Sequence, residues 1–194
     1  MGLDTTGIDF NLAVNGGVFA RETLPRLNAA LSDQAAALTT QVMTNTAVFL
    51  AAGDLITNVS FVSGAVAASV PTNWWFALYD NQATPALVGQ TADQLTAAWA
   101  ASTVKTLPLT LPGAGFTVPF RVQASGIYYV ACMVKATTVP SLVCQTLFAA
   151  GLSTGIISGQ KTLVSSSGAA LTTTAPTTIA APAAAASRPY AVLN

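Results

Sequence analysis

The eight residues Asn73–Asp80, Asn-Trp-Trp-Phe-Ala-Leu-Tyr-Asp, restrict the possible folds more than any other stretch of the chain. They carry two of the three tryptophans, a phenylalanine and a tyrosine. On an extended backbone Trp75, Ala77 and Tyr79 point one way and Trp74, Phe76 and Leu78 the other. Both sides are apolar. A strand with one face in water alternates apolar and polar residues, so this one requires cover on both faces. Pro71 has no N–H for a ladder and Asp80-Asn81 is turn chemistry, which marks the ends of the segment. The expectation is an inner strand of a β-sandwich.

The neighbouring stretches agree. Thr46–Ala52 and Leu55–Val62, joined at Gly53-Asp54, are rich in β-branched residues or aromatics. Gly126–Val134 is a second stretch apolar on both sides, and Ala86–Gln90, Val104–Leu109, Phe116–Val122, Ser141–Ala149 and Lys161–Ser165 are further strand candidates. Thr91–Ser102, which holds Trp99, reads as a short helical or irregular crossover. Residues 46–167 are therefore expected to form a mainly β, antiparallel sandwich or jelly-roll-like domain.

The flanks read differently. In residues 1–20, Ile8, Phe10, Leu12 and Val14 alternate, as in an extended arm that adds to a sheet edge or lies along a neighbouring chain. From Thr23 to about Thr44 the sequence predicts one α-helix, with Thr23 as cap, Pro25 in the first turn and dense alanine. Leu24, Leu31 and Leu38 recur every seven residues, with Leu27, Gln34 and Gln41 between them. Those six are the candidate oligomer interface, with docking on the chain's own β-domain as the alternative. Residues 1–45 thus form an anchoring or oligomerising unit, and the Ala/Thr/Pro-rich residues 168–194 an extended segment packed on the domain or a partner.

Composition bears on function through what is missing. Only 7% of the 194 residues are charged, against about 25% in an ordinary soluble protein. The surface is then mostly Thr, Ser, Ala, Asn and Gln, weakly protected against association, and much of it reads as interface. All seven acids precede residue 94 and five of the seven bases follow it, an asymmetry able to steer head-to-tail contacts. No basic cluster suggests nucleic acid, and no apolar run reaches the ~18 residues of a membrane span. The start Met1-Gly2-Leu3-Asp4 lacks a secretion-signal pattern.

Histidine is absent, which removes Ser-His and Cys-His nucleophile pairs and histidine metal sites. Cys132 and Cys144 lack zinc spacing and read as buried thiols. Asp80 and Asp93, the conceivable glycosidase pair, both sit in turn-like contexts. Gly113-Ala114-Gly115 leads into a strand and not a helix, so it is no phosphate loop. No catalytic residue, cofactor site or metal site is expected.

The stretch Ala52–Gly64, followed by Pro71–Asp80, Gln90–Gln94, Ala98-Trp99, Lys105–Leu107 and Gly126–Val130, resembles structural proteins of tailed bacteriophages, especially those of actinobacteria. The likeness covers roughly residues 46–150. It implies a non-enzymatic β-sandwich protein of the virion, a minor tail protein, fibre or capsid decoration, made in the bacterial host cytoplasm. Such proteins are commonly homotrimers that contact other virion proteins, and some touch host surface glycans. Under this alternative, a glycan-binding receptor-recognition module, Trp74 and Trp99 are the candidate contacts. Phe116, Val118 and Gly126-Ile127-Tyr128-Tyr129 are also similar to late strands of trimeric jelly rolls of the complement and tumour-necrosis-factor type.

Overall fold

A computed structural model of the chain describes residues 19–27, 30–110, 119–148 and 150–194. Residues 1–18, and with them the alternating arm, lie outside the described residues, as do 111–118. The strands in chain order are β1 (Arg21–Glu22), β2 (Leu31–Gln34), β3 (Met43–Leu50), β4 (Leu55–Ile56) and β5 (Asn58–Val62). Then come β6 (Asn73–Tyr79), β7 (Leu87–Thr91), β8 (Val104–Thr110), β9 (Phe120–Arg121) and β10 (Gly126–Lys135). The last five are β11 (Leu142–Thr146), β12 (Val164–Ser167), β13 (Ala183–Ala184), β14 (Ser187–Pro189) and β15 (Ala191–Leu193). The fold is mainly β and antiparallel, with a ten-stranded sheet in the order β1-β15-β5-β8-β7-β6-β10-β3-β12-β13. A three-stranded sheet, β14-β11-β2, and the pair β4-β9 complete it.

Strand β6 lies inside the large sheet between β7 and β10, and all seven of its residues are buried. Its two faces belong to different cores. Trp74, Phe76 and Leu78 pack with Val59 and Phe61 of β5, Leu193 of β15 and Leu142 and Cys144 of β11. Trp75, Ala77 and Tyr79 pack with Met43 and Ala47 of β3, Tyr129 and Met133 of β10, and Ala175 and Ile179 of the tail. Each large side chain so buried contributes about 1.5–3 kcal/mol relative to exposure.

The tail's cover is held by hydrogen bonds from the sheet to an irregular backbone. Trp75 Nε1 donates to Thr172 O at 2.7 Å and Tyr79 Oη to Pro176 O at 2.9 Å. Gln90 of β7 donates to Thr173 O and accepts from the N–H of Ala175. Leu87 N donates to Thr177 O, and Ile179 N to Pro85 O. Past this cover the chain re-enters the sheets, β14 pairing with β11 and β15 with both β5 and β1.

The expected α-helix from Thr23 to about Thr44 is corrected: the described residues contain no α-helix there or elsewhere. Among the described residues of that stretch only Ala35–Ala37 turns helically, as a single 3-10 turn between extended Gln34 and Leu38. Residues Leu31–Gln34 pair instead with Leu142–Gln145 of β11. Alanine's advantage in a helix is only tenths of a kcal/mol per residue over most alternatives, and tertiary pairing overrides it. Thr44 Oγ1 then ties the 3-10 turn to the start of β3 by donating to Ala37 O at 2.8 Å.

Candidate functional site

The six residues of the expected helical seam do not share a face. Leu24 and Leu38 are buried, Leu38 within the larger core, whereas Leu27 is 79% exposed. Leu31 and Gln34 lie in β2, the edge strand of the small sheet, each half-buried. Gln41 occupies a left-handed turn at φ 61°. Its N–H donates to Val134 O and its side-chain amide to Leu171 O. Leu24 and Leu27 lie between β1 and β2, Leu31 in β2 and Leu38 before β3, with unlike burial, so the seven-residue spacing corresponds to no seam.

Trp74 and Trp99 are likewise corrected as glycan contacts. Both rings are 1% exposed and they stack on each other, with centroids 5.1 Å apart and planes at 30°. Their indole N–H groups donate to the backbone, Trp74 to Ala97 O and Trp99 to Thr103 O. Neither ring offers a free face to a sugar.

The acidic groups hold backbone. Asp93 accepts from Asn73 Nδ2 and from the N–H groups of Trp74 and Leu95. Asp80 accepts from the N–H groups of Gln82 and Ala86, closing the turn after β6. Asp54 takes both Arg21 Nε at 2.7 Å and a second guanidinium nitrogen at 2.9 Å, and also accepts from Ala51 N–H. Among the described residues no group of three or more His, Cys, Asp or Glu is placed to hold a metal.

Cys132 and Cys144 are free, buried thiols. Burial pushes both up, Cys144 to about 12 from 9.0, with Asp33 adding to the effect, so neither is a thiolate near neutrality. Burial also raises the phenol of Tyr79 well above its ordinary 10.0.

What the surface offers is apolar. A groove of about 430 Å³ runs over the outer side of β5, β8 and β15, lined by Val62, Val104 and Val192, with Ala20 and Phe19 at one edge. Ser60 and Thr106 share a hydrogen bond of 2.7 Å across its floor. The local cause is strand alternation: Val59, Phe61 and Leu109 turn into the core, so Ser60, Val62, Val104 and Thr106 face out.

The second feature is the connection between β11 and β12. Phe148 is fully exposed, Ile156 80%, Ile157 69% and Leu152 41%. The connection is nonetheless built. Gln160 Oε1 accepts from the N–H groups of both Ile156 and Ile157, at 2.6 and 3.2 Å. Gly155 turns at φ +94°, where a Cβ would sit 2.6 Å from that of Gln160. Ser153, buried at the base, accepts from Leu163 N–H. The two isoleucines are therefore presented outward by a closed turn. The signal was in the sequence: Gly155-Ile156-Ile157-Ser158-Gly159 puts two large β-branched residues in turn chemistry, where polar residues are the rule.

A smaller cleft of about 220 Å³ lies beside the tail, with Tyr129, Gln82, Gln160, Lys161 and Ser165 around it. Comparison with protein-family models, with curated proteins and with solved structures gave no match for this chain.

Proposed function

We propose that this chain is a non-enzymatic structural protein on the surface of a tailed-bacteriophage particle, attached to tail or capsid and working as a homo-oligomer, a trimer. Its finer architecture is read as a β-sandwich of jelly-roll type. In support, the strands of the large and small sheets converge on one core that contains Phe61, Phe76, Trp74 and Leu142. The stretches that resemble phage structural proteins fall on β4, β5, β6, β7, β8 and β10, the scaffold of that core.

The observation that carries the reading is the surface. Large apolar side chains stand out in water, among them Phe148, Ile156, Val104, Phe49 and Leu27. Only two ion pairs occur among the described residues, Arg21–Asp54 and Arg26–Glu22. A surface so poor in charge and so dotted with large apolar groups suits a protein held by neighbours. Apolar and neutral polar contacts make such an assembly without the desolvation cost of buried charge. The glycan-recognition alternative finds no comparable support, since the tryptophans it relied on are buried.

Two measurements test this. Mass determination of the purified chain at micromolar concentration is expected to give trimers or a larger closed species, and a monomer would overturn the oligomeric part. Antibody labelling of intact particles, viewed by electron microscopy, is expected to decorate the tail or capsid at regular positions. Unlabelled particles from cells that make the chain would overturn the virion assignment.

A further inference from the structure

The cleft of about 220 Å³ opens where the tail, at Ile179 and Pro182, meets the turn after β6 and the approach to β12. Its charge is one-sided. Lys161 is the only charged side chain on its lining, and neither ion pair among the described residues involves it. Asp80, which begins the turn carrying Gln82, is directed to backbone, its Oδ1 accepting from the N–H groups of Gln82 and Ala86. The base of the cleft holds hydroxyls with protons to give. Tyr129 of β10 is 6% exposed and belongs to the outer core, yet its Oη has no hydrogen-bond partner among the described residues and is not sealed off. Polar groups of nearly buried residues are as a rule paired with protein, water or ligand. Burial pushes this phenol up, so it stays a donor at neutral pH. Ser165 of β12, 3% exposed, accepts from Asn45 Nδ2 at 3.4 Å, which leaves its own proton free to donate. At the rim, Gln160 Oε1 is taken by the N–H groups of Ile156 and Ile157, so Nε2 is the free end of that amide.

We propose that this cleft binds a small hydroxylated carboxylate, a sugar acid of monosaccharide size. Lys161 takes the carboxylate, and the Tyr129 and Ser165 hydroxyls with Gln160 Nε2 take the remaining oxygens. Several donors around a single cation select an anion rich in acceptors, and a hydroxylated carboxylate is both. Ile179 and Pro182 supply an apolar wall for the C–H face of a ring. The volume admits one ring and excludes a drug-sized molecule, whose pockets begin near ~300 Å³. The site is complete within one chain, so it stands apart from the oligomeric and virion readings above.

Nuclear magnetic resonance of the isotope-labelled chain, titrated with D-glucuronate, D-glucose and acetate, tests this. Glucuronate is expected to shift the side-chain amides of Gln82 and Gln160 and the backbone amides of Lys161 and Ser165, with a millimolar Kd. Glucose lacks the charge and acetate the hydroxyls, so each is expected to bind about tenfold more weakly. Lys161→Gln is expected to weaken glucuronate about tenfold, and Tyr129→Phe, which keeps the ring, about fivefold. Unmoved β6 amides in both variants would show that the fold is intact. A methyl glucuronide that binds as well as the free acid would assign the site to the end of a glycan chain, and one that fails would assign it to the free acid. Either result keeps the Lys161–carboxylate contact. No shift at these amides with glucuronate overturns the proposal, and so does glucose or acetate binding equally well. An affinity unchanged in either variant removes that contact and overturns the arrangement.

Discussion

The two faces of β6 are buried equally and by different means. On the inner face, Trp74 and Phe76 meet other ordered side chains: Phe61 at 4.8 Å and Trp99 at 5.1 Å between ring centroids. Strands with ladder-paired backbones cover most of that face, and Trp99 completes it from the irregular run between β7 and β8, where Ala97 O takes the Trp74 indole N–H. On the outer face the cover is the irregular run from Leu171 to Ile179, which has no ladder of its own. There the sheet must supply the missing donors, and it does so from the polar ends of large side chains, the Trp75 indole and the Tyr79 hydroxyl. An aromatic residue with a polar end can thus bury its ring and fasten an unstructured neighbour at once. A phenylalanine can do only the first.

Replacing adjacent tryptophans tests this difference most directly. Trp74→Ala opens a cavity among side chains fixed mainly by strands, with Trp99 as the exception, and is expected to cost about 3–5 kcal/mol. Trp75→Ala removes the same volume beneath a segment that can settle into the space, so about 2–3 kcal/mol is expected, since the cost depends on how far a site collapses. Urea unfolding monitored by circular dichroism measures both. Equal costs, or a reversed order, would mean that the tail is as rigid a lid as the strands.

Alkali separates the faces next. The Cys144 thiol is held up at about 12 against 9.0, so above pH 9 the unfolded chain loses this proton first. The unfolded state then binds fewer protons than the native state, and stability falls as pH rises, by roughly 2–3 kcal/mol at pH 11 from this group. Below pH 9 that contribution is fully present. Tyr79 on the other face adds a further fall that begins only near pH 10. Cys144→Ala is therefore expected to lessen the decline from pH 9, the share of the buried Cys132 remaining, and Tyr79→Phe only its upper part. A stability curve flat to pH 11 in the wild type would show that neither group is buried as described.

How much of this was open to reading from the residues follows from the range of the interactions. The double-faced apolar pattern of Asn73–Asp80 is local, and it predicted an inner strand with cover on both sides. What provides the outer cover was not readable, because Ala-Pro-Thr-Thr at 175–178 has the composition of a linker. Its order comes from donors nearly a hundred positions earlier in the chain. The region after Thr23 misled for the same reason in reverse. Alanine content and leucine spacing are local signals for a helix, whereas Leu31–Gln34 is decided by β11, more than a hundred residues away. Ring size alone does not tell a sugar platform from a core stack, so Trp74 and Trp99 fitted both until their packing was seen. The apolar groove was half visible, since Val62 beside core-directed Phe61 marks an outward valine on a strand.

The gentlest probe of the outer face is Gln90. Its amide acts as a clamp, Nε2 donating to Thr173 O at 2.9 Å and Oε1 accepting from Ala175 N–H at 2.6 Å. The side chain is partly open to solvent, so water can replace both partners when it is removed, and Gln90→Ala is expected to cost no more than about 1 kcal/mol of global stability. Its local effect is different in kind. With the clamp gone the tail is tied at Thr172, Pro176 and Thr177 but not between them. Hydrogen exchange at Ala175 should then accelerate by an order of magnitude or more while amides in β10 keep their protection. If exchange at Ala175 is unchanged, the aromatic donors alone hold the segment. If β10 loosens with it, the outer cover and the sheet are one cooperative unit and the two faces of β6 differ less than their hydrogen bonds suggest.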